Sequence, residues 1–272
     1  MAQSLAHARF EIIPIKGVEA QLGSLPPGQT VTVTASPTKG LAPTLEIAAE
    51  LAARGHRVVP HISARLVSGR DELTAILARL AALGITEVFV PAGDAEVPAG
   101  PYEGAADLLE DMAAIGHHLT SIGITGYPES HAFIPDMTTI SAMARKAPYA
   151  TYIVSQICYD PATIRQWVAD VRARGIELPI HLGIPGVIDR AKLLRVSLRV
   201  GLGDSVRFLR KQHEVATHLL TGYTPDELIA ELSDLLADPG SGIAGWHLFT
   251  FNEVERTEQW RQDLLTRRGA VL

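Results

Sequence analysis

The chain has 272 residues, of which 47% are hydrophobic, so it is long enough to bury one large core. Its formal net charge of −6 and the lack of any basic run argue against binding to nucleic acid. The single cysteine, Cys158, cannot form an internal disulfide, which is typical of a reducing compartment. The N-terminus has no apolar signal region, and no uncharged apolar stretch approaches the roughly 20 residues of a membrane helix. We therefore expect a cytoplasmic protein with no membrane partner.

Short apolar segments rich in β-branched residues recur along the chain, and amphipathic helical patterns separate them. Eight segments predict strands: 8–14, 30–35, 56–63, 88–90, 121–125, 152–159, 178–183 and 243–250. Capping residues and helical spacing predict helices between and after these strands. One of them begins after Ser68 as its cap, and others are predicted over 102–115, 137–146, 161–175, 189–200, 205–220, 224–238 and 253–267.

Regular alternation of strands and helices specifies a parallel sheet. Eight repeats favour a closed (β/α)8 barrel, also called a TIM barrel, as a single domain over residues 1–272. The main rival is a Rossmann-type sheet, which would need GxGxxG after the first strand. Residues 15–18, Ile-Lys-Gly-Val, lack that pattern.

The stretch 87–94 shows how each strand is expected to end. The apolar run Val88-Phe89-Val90 leads into a small-residue turn that delivers a carboxylate, Asp94. In barrels of this type the active site lies at the C-terminal ends of the strands. That end is expected to receive Thr34, His61, Asp94, Tyr127, Glu129, His131, Gln156 and Asn252, with Glu11 inside the first strand. Leaving such groups buried without partners would cost roughly 1–3 kcal/mol each, so ligand binding or mutual hydrogen bonding is expected.

The same residues could instead have structural roles. Glu11 could pair with an arginine, Asp94 could cap the next helix, and His61 could be a core histidine with a hydrogen-bond partner. A metal site would need more ligands than His61 and His131, and the chain contains neither HxH on the first strand nor HExxH, so we expect no metal. The absence of GxSxG argues against a serine nucleophile.

Seven motifs together resemble one family, the methylenetetrahydrofolate reductases. They are RFEIIP around Glu11, VTVTAS through Thr34 to Ser36, VVPHIS around His61, VFVPAGD ending at Asp94, ITGYPESH ending at His131, VSQICYD around Gln156, and WHLFTFN ending at Asn252. They occur in the family's order over the whole chain. The resemblance implies the same eight-fold barrel.

The resemblance also implies a reaction: reduction of 5,10-methylenetetrahydrofolate to 5-methyltetrahydrofolate, a step of one-carbon metabolism linked to methionine biosynthesis. Hydride would pass from NADH or NADPH to a bound FAD and then to the folate, with the flavin carrying the hydride. Glu11 matches the family's general acid, and Asp94 the catalytic carboxylate that stabilises the cationic iminium form of the folate. Gln156 and Asp94 match residues that bind the pterin.

The expected FAD contacts follow from the same comparison: Thr34, His61, Ala92, Gly93, Asp94, Tyr127, His131 and Lys146. Three positions depart from the family pattern. Ala92 replaces the arginine of an RGD motif, and Thr139 and Ala142 replace an acidic and an amide residue. Because an arginine donor is lost, FAD binding would be weaker or made by other residues.

Several alternatives stay open at this point. Some relatives transfer hydride directly from NADH to the folate without a flavin. A non-catalytic folate- or flavin-binding barrel that acts with a partner, and a metal-dependent barrel hydrolase or lyase, are the other two. The sequence does not decide between NADH and NADPH, and it leaves a homo-oligomer open because barrels of this size commonly associate.

Overall fold

Eight short parallel strands form the centre of the structure, a computed structural model that describes residues 2–129, 136–189, 192, 224–267 and 269. The strands are β1 Arg9–Ile12, β2 Thr30–Val33, β3 Arg57–Pro60, β4 Glu87–Val90, β5 Ser121–Gly126, β6 Tyr152–Ser155, β7 Ile180–Pro185 and β8 Ile243–Phe249. Their hydrogen-bonded order is β3-β2-β1-β8-β7-β6-β5-β4. A parallel bridge between His61 and Phe89, with Ile62 N donating to Phe89 O at 2.9 Å, joins β3 to β4. The (β/α)8 barrel is therefore confirmed.

Helices follow the strands around the outside of the barrel. Those described are α1 Ala2–Ala6, α2 Ala42–Ala53, α3 Arg70–Ala82, α4 Ala105–Ile115, α5 Asp136–Lys146, α6 Pro161–Ala173, α7 Asp226–Glu231, α8 Ser233–Ala237 and α9 Val254–Arg267. Apolar residues at helical spacing face the barrel, as Leu73, Ile76, Leu77 and Leu80 do on α3. Within the described ranges, no helix is both long and apolar enough to span a membrane.

Some predicted boundaries are confirmed and others are wrong. Asp160 caps α6 as predicted, because its carboxylate accepts a hydrogen bond from Ala162 N at 3.0 Å. Ser68 does not cap α3: Gly69 is the N-cap, and the hydroxyl of Ser68 donates to the Glu72 carboxylate instead. The helix predicted over 224–238 is two short helices, α7 and α8. The helices predicted over 189–200 and 205–220 lie outside the described residues, apart from positions 189 and 192.

The barrel interior is unusually polar. Side chains alternate along β1, so Phe10 and Ile12 pack outward in the main core. Arg9 and Glu11 point inward, where they meet side chains of other strands. Two polar layers result. The floor layer consists of Arg9, Glu87, Tyr152 and His181 near the strand N-termini, and the acid layer consists of Glu11, His61 and His247 nearer the C-terminal ends.

Candidate active site

The acid layer is centred on Glu11. Its carboxyl oxygen Oε2 lies 3.0 Å from Nε2 of His247 on β8 and 3.5 Å from Nε2 of His61, which follows β3. Burial raises the pKa of Glu11 to about 7, although the neighbouring His61 lowers it in part. A buried carboxyl group is disfavoured in its charged form. Near neutral pH, Glu11 therefore retains its proton in a large fraction of molecules.

Both imidazoles beside Glu11 are neutral at that pH. Burial lowers the pKa of His61 to about 4, with Glu11 opposing and His247 adding to this effect. Burial, together with the positive charge of Arg9, lowers the pKa of His247 to about 3. Arg9 itself is paired with Glu87 rather than with Glu11. Among the described residues, no arginine or lysine makes an ion pair with Glu11.

Residues that follow β8 fix the end of β1. Thr250 Oγ1 donates to the carbonyl of Glu11 at 2.6 Å. The side chain of Asn252 accepts from Ile13 N at 2.8 Å and donates to Ile13 O at 2.9 Å. Phe251 and Asn252 hold left-handed backbone angles, with φ of 50° and 63°, which is costly for a residue as bulky as phenylalanine. Asn252 is thus a backbone clamp that holds the strand carrying Glu11.

The turn after β4 presents Asp94 to solvent. Gly93 has a φ of +91°, and a Cβ atom there would lie 2.9 Å from Cβ of Ser63. Glycine is therefore required both for the backbone conformation and for the close approach of the two loops. The next helix, α4, has Gly104 as its N-cap. Asp94 does not cap that helix, so its helix-capping reading is excluded.

Arg65 holds the loop that carries Asp94. Its backbone N donates to Ala92 O at 2.9 Å. Its guanidinium donates to Ala95 O and Glu96 O, both at 2.7 Å, and to the backbone and carboxylate of Glu103. This residue was not predicted as a site residue. The signal in the sequence was an arginine at a strand end, in the segment Ile62–Leu66 whose other residues are apolar or small.

Lys146 lies at the end of α5 with its ammonium group buried. Its side chain donates to Thr125 Oγ1 at 3.0 Å and to Thr125 O at 3.3 Å. Burial lowers the pKa of Lys146 to about 8. Within the described parts of the chain it has no carboxylate partner. A buried cation of this kind is suited to an anionic or strongly polar ligand.

Tyr127 and Gln156 lie close to this lysine along the rim. Burial, and to a smaller extent the charge of Asp94, raises the pKa of Tyr127. Gln156 N donates to Gly126 O at 2.8 Å, which places it beside Tyr127, and Gln156 Oε1 accepts from Ile157 N at 2.8 Å. Tyr127 also lines a groove with Thr139, Met143 and Trp167. Asp94, Tyr127, Gln156 and Lys146 thus lie around the C-terminal ends of β4, β5 and β6.

The remaining predicted residues are distributed as follows. His61 contacts Glu11 directly, and its ring lies 4.7 Å from that of Phe89. Thr34 follows β2, where its carbonyl accepts from Thr44 Oγ1 at 2.8 Å. Ala92 and Gly93 form the turn before Asp94, and His131 lies outside the described residues. His247 was missed as a site residue, although its alternation with Phe249 in the motif WHLFTFN indicated an inward-facing position.

These features define a class: a (β/α)8 barrel with a buried, protonatable carboxyl group near the C-terminal ends of its strands. The family model for methylenetetrahydrofolate reductase matches residues 21–262, and the chain belongs to that family. The matched residues begin after β1, so the match does not include Glu11. The role of Glu11 is therefore inferred from its contacts in the structure.

Two curated relatives are fungal. The chain is 27% identical to methylenetetrahydrofolate reductase 2 of Saccharomyces cerevisiae over 164 residues, which is 56% of this chain and 26% of the relative. It is 30% identical to methylenetetrahydrofolate reductase 1 of Schizosaccharomyces pombe over 156 residues, which is 54% of this chain and 25% of the relative. The chain therefore matches only about a quarter of the length of these relatives.

Solved structures with low sequence identity share the fold. An uncharacterized protein from Clostridium thermocellum, described as binding two copies of 5-methyl-5,6,7,8-tetrahydrofolic acid, superposes with a TM-score of 0.70 at 13% identity. The superposition covers 97% of this chain and 99% of that one. A chitinase from Rhizomucor miehei has a TM-score of 0.51 at 11% identity, covering 95% of this chain and 99% of the chitinase. At these identities the likeness shows the barrel fold alone.

Proposed function

We propose that this protein reduces 5,10-methylenetetrahydrofolate to 5-methyltetrahydrofolate with Glu11 as general acid. The observation that carries the proposal is the buried carboxyl group of Glu11, held by two neutral imidazoles in a chain that belongs to this reductase family. The folate bound by the Clostridium thermocellum barrel supports the same ligand class.

Glu11 supplies the proton that opens the substrate. The methylene bridge becomes a reactive iminium ion when one of its two carbon–nitrogen bonds breaks, and that step requires protonation of the leaving nitrogen. An acid with a pKa of about 7 is well matched to donation near neutral pH. Removal of water around Glu11 also keeps the proton in place until the substrate is bound.

The rim residues bind the pterin and stabilise its charge. The carboxylate of Asp94 at the mouth stabilises the cationic iminium by electrostatic attraction. The amide nitrogen of Gln156 makes no hydrogen bond among the described residues, so it is available to the pterin ring. Arg65 and Asn252 keep the backbones of Asp94 and Glu11 in place.

The rim also fits FAD. The buried ammonium group of Lys146 is suited to a phosphate or carbonyl oxygen, and Gly93 allows close approach of the backbone to a ligand. Thr34, His61, Ala92, Gly93, Asp94, Tyr127 and Lys146, with His131, would hold the cofactor. FAD, when bound, transfers the hydride that NADH or NADPH provides.

A second candidate is direct hydride transfer from NADH without a flavin. The observation that favours it is that Ala92, Thr139 and Ala142 stand where the family has an arginine, an acidic residue and an amide that bind FAD. The acid chemistry of Glu11 is the same in both routes.

An absorption spectrum and a turnover assay test these proposals together. We expect purified protein to oxidise NADH or NADPH only when methylenetetrahydrofolate or an artificial acceptor is present. Flavin bands in the spectrum would support FAD, and a colourless protein that turns over would favour direct transfer. Absence of turnover, with and without added FAD, would contradict the reductase proposal.

A further inference from the structure

Both imidazoles of the acid layer converge on the same carboxyl oxygen. Nε2 of His247 lies 3.0 Å from Oε2 of Glu11, and Nε2 of His61 lies 3.5 Å from that same atom. The other oxygen, Oε1, has no hydrogen-bond partner among the described residues. The side chain of Glu11 is 13% exposed, so the acid layer is not fully closed.

The position of the protons follows from counting donors and acceptors. If Nε2 of His247 accepted the acidic proton from Oε2, it would have no proton to donate once Glu11 is a carboxylate, which can only accept. If Nε2 of His247 donates, Oε2 accepts that bond whether Glu11 is protonated or ionised. Nδ1 of His247 is buried without a partner among the described residues and favours neither tautomer. The arrangement that keeps this hydrogen bond in both states of Glu11 therefore has a proton on Nε2 of His247 and the acidic proton on Oε1.

We propose that His247 is a positioning residue that donates from Nε2 to Oε2 of Glu11 and thereby confines the acidic proton to Oε1, the oxygen left free for the substrate. The proposal rests on the reductase function proposed above. Nε2 of His61 lies 3.5 Å from Oε2 and makes no hydrogen bond among the described residues, so His247 is the donor.

The same hydrogen bond acts on the chemical step. When Glu11 donates, its Oε1–H bond breaks, a nitrogen–hydrogen bond forms on the substrate, and the carbon–nitrogen bond of the methylene bridge breaks. The negative charge left on Glu11 spreads over both oxygens, so the bond from His247 to Oε2 becomes charge-assisted and roughly twice as strong. An interaction that strengthens during the reaction accelerates it.

The tautomer of His247 is the first test and does not depend on activity. Full-length protein with ¹⁵N-labelled histidine is examined by NMR near neutral pH, and the His247 signals are assigned by their loss in His247→Gln. We expect a protonated Nε2 and an unprotonated Nδ1. A proton on Nδ1 overturns the proposal, because Nε2 would then accept the acidic proton of Glu11. This result decides the arrangement even if the chain proves not to reduce the folate.

Kinetics provide the second test. We expect His247→Leu to lower kcat with methylenetetrahydrofolate about 10-fold to 100-fold, as loss of part of a general-acid effect would, with KM nearly unchanged. Reduction of an artificial acceptor by NADH or NADPH should not change, because it needs no proton from Glu11. His247→Gln, which keeps an N–H donor, should restore most of kcat.

The matched control is His181→Gln on the neighbouring strand β7. His181 also faces the barrel interior with Nδ1 unpartnered among the described residues, but it packs on Tyr152 in the floor layer. Its variant should keep the wild-type kcat. The positioning role of His247 is refuted if folded His247→Leu retains wild-type kcat, or if His247→Gln is as slow as His247→Leu. If the wild-type protein does not reduce the folate, that result contradicts the reductase proposal and leaves the proposed tautomer of His247 to be decided by NMR.

Discussion

Two carboxyl groups lie inside the same barrel, and their partners give them opposite roles. In the floor layer, Glu87 is paired with Arg9, whose guanidinium also lies 4.3 Å from the centre of the Tyr152 ring. In the acid layer, the side chains that Glu11 contacts within the described part of the chain are the neutral imidazoles of His61 and His247. The two carboxyl side chains are similarly buried, with exposures of 21% and 13%. Both carboxyl groups are thus largely buried, and within the described part of the chain they differ in that Glu87 has a permanent positive charge beside it.

Two groups of the acid layer, Glu11 and His61, make stability depend on pH in opposite directions. A pKa raised from 4.5 to about 7 means that folded Glu11 keeps a proton that the unfolded chain releases in this range. Stability from this group is present below about pH 4.5 and is lost as the pH rises to 7, by roughly 3 kcal/mol. The lowered pKa of His61 acts the other way, because stability from it is lost as the pH falls from 6.5 towards 4.

The largest expected effect comes from Glu11→Gln. Loss of the general acid should lower kcat with methylenetetrahydrofolate about 10²-fold to 10⁴-fold, while artificial-acceptor reduction is retained. Urea unfolding near neutral pH should show a variant at least as stable as the wild type, because no buried acid remains to be held protonated. Unchanged folate reduction would show that the buried acid does not donate the proton.

Arg9→Met should break the floor layer in a different way. It leaves the carboxylate of Glu87 buried and unpaired, and we expect a loss of about 3 kcal/mol in the free energy of unfolding. The double variant with Glu87→Gln should recover a large part of that loss, because no unpaired charge remains. Equal stability of the single variant and the wild type, measured by urea unfolding, would refute a stabilising role for this pair.

The pH profile should show the raised pKa of Glu11 directly. As the pH rises above about 7, the donor loses its proton, and kcat/KM for the folate should fall about tenfold per pH unit. Initial rates from about pH 6 to pH 9 give the profile, and NADH oxidation by an artificial acceptor is the control for general loss of activity. A flat profile would rule out Glu11 as the group whose protonation limits the reaction.

The sequence predicted all eight strands because β-branched apolar runs alternate with helical patterns, and it predicted Glu11 and His61 because polar residues in dry strands are costly. It could not predict the partner of Glu11. The contact between Glu11 and His247 spans 236 residues and exists only because β1 lies beside β8.

The end of β6 and the hydrogen bonds of Arg65 could not be predicted from the sequence for a similar reason. The run Tyr152–Tyr159 is continuously apolar apart from Ser155 and Gln156, yet β6 ends at Ser155. The Gln156 side chain turns back to accept from Ile157 N, and no local pattern signals that bond. The bonds of Arg65 to the loop after β4 depend likewise on two segments about 30 residues apart.

A smaller effect should follow from Lys146. Like Arg9 it is a buried cation, but among the described residues it has no carboxylate partner. Lys146→Met should weaken FAD binding about tenfold, which is the size of one charge-assisted hydrogen bond, with little effect on stability. Wild-type affinity should also fall above about pH 8, because burial has lowered the lysine pKa to that value and the ammonium charge is lost there. Flavin fluorescence titration measures both, with Lys146→Arg as the control that keeps the charge. If Lys146→Met binds FAD as tightly as the wild type does, this lysine has no part in cofactor binding. Its role would then be structural, through its hydrogen bonds to Thr125.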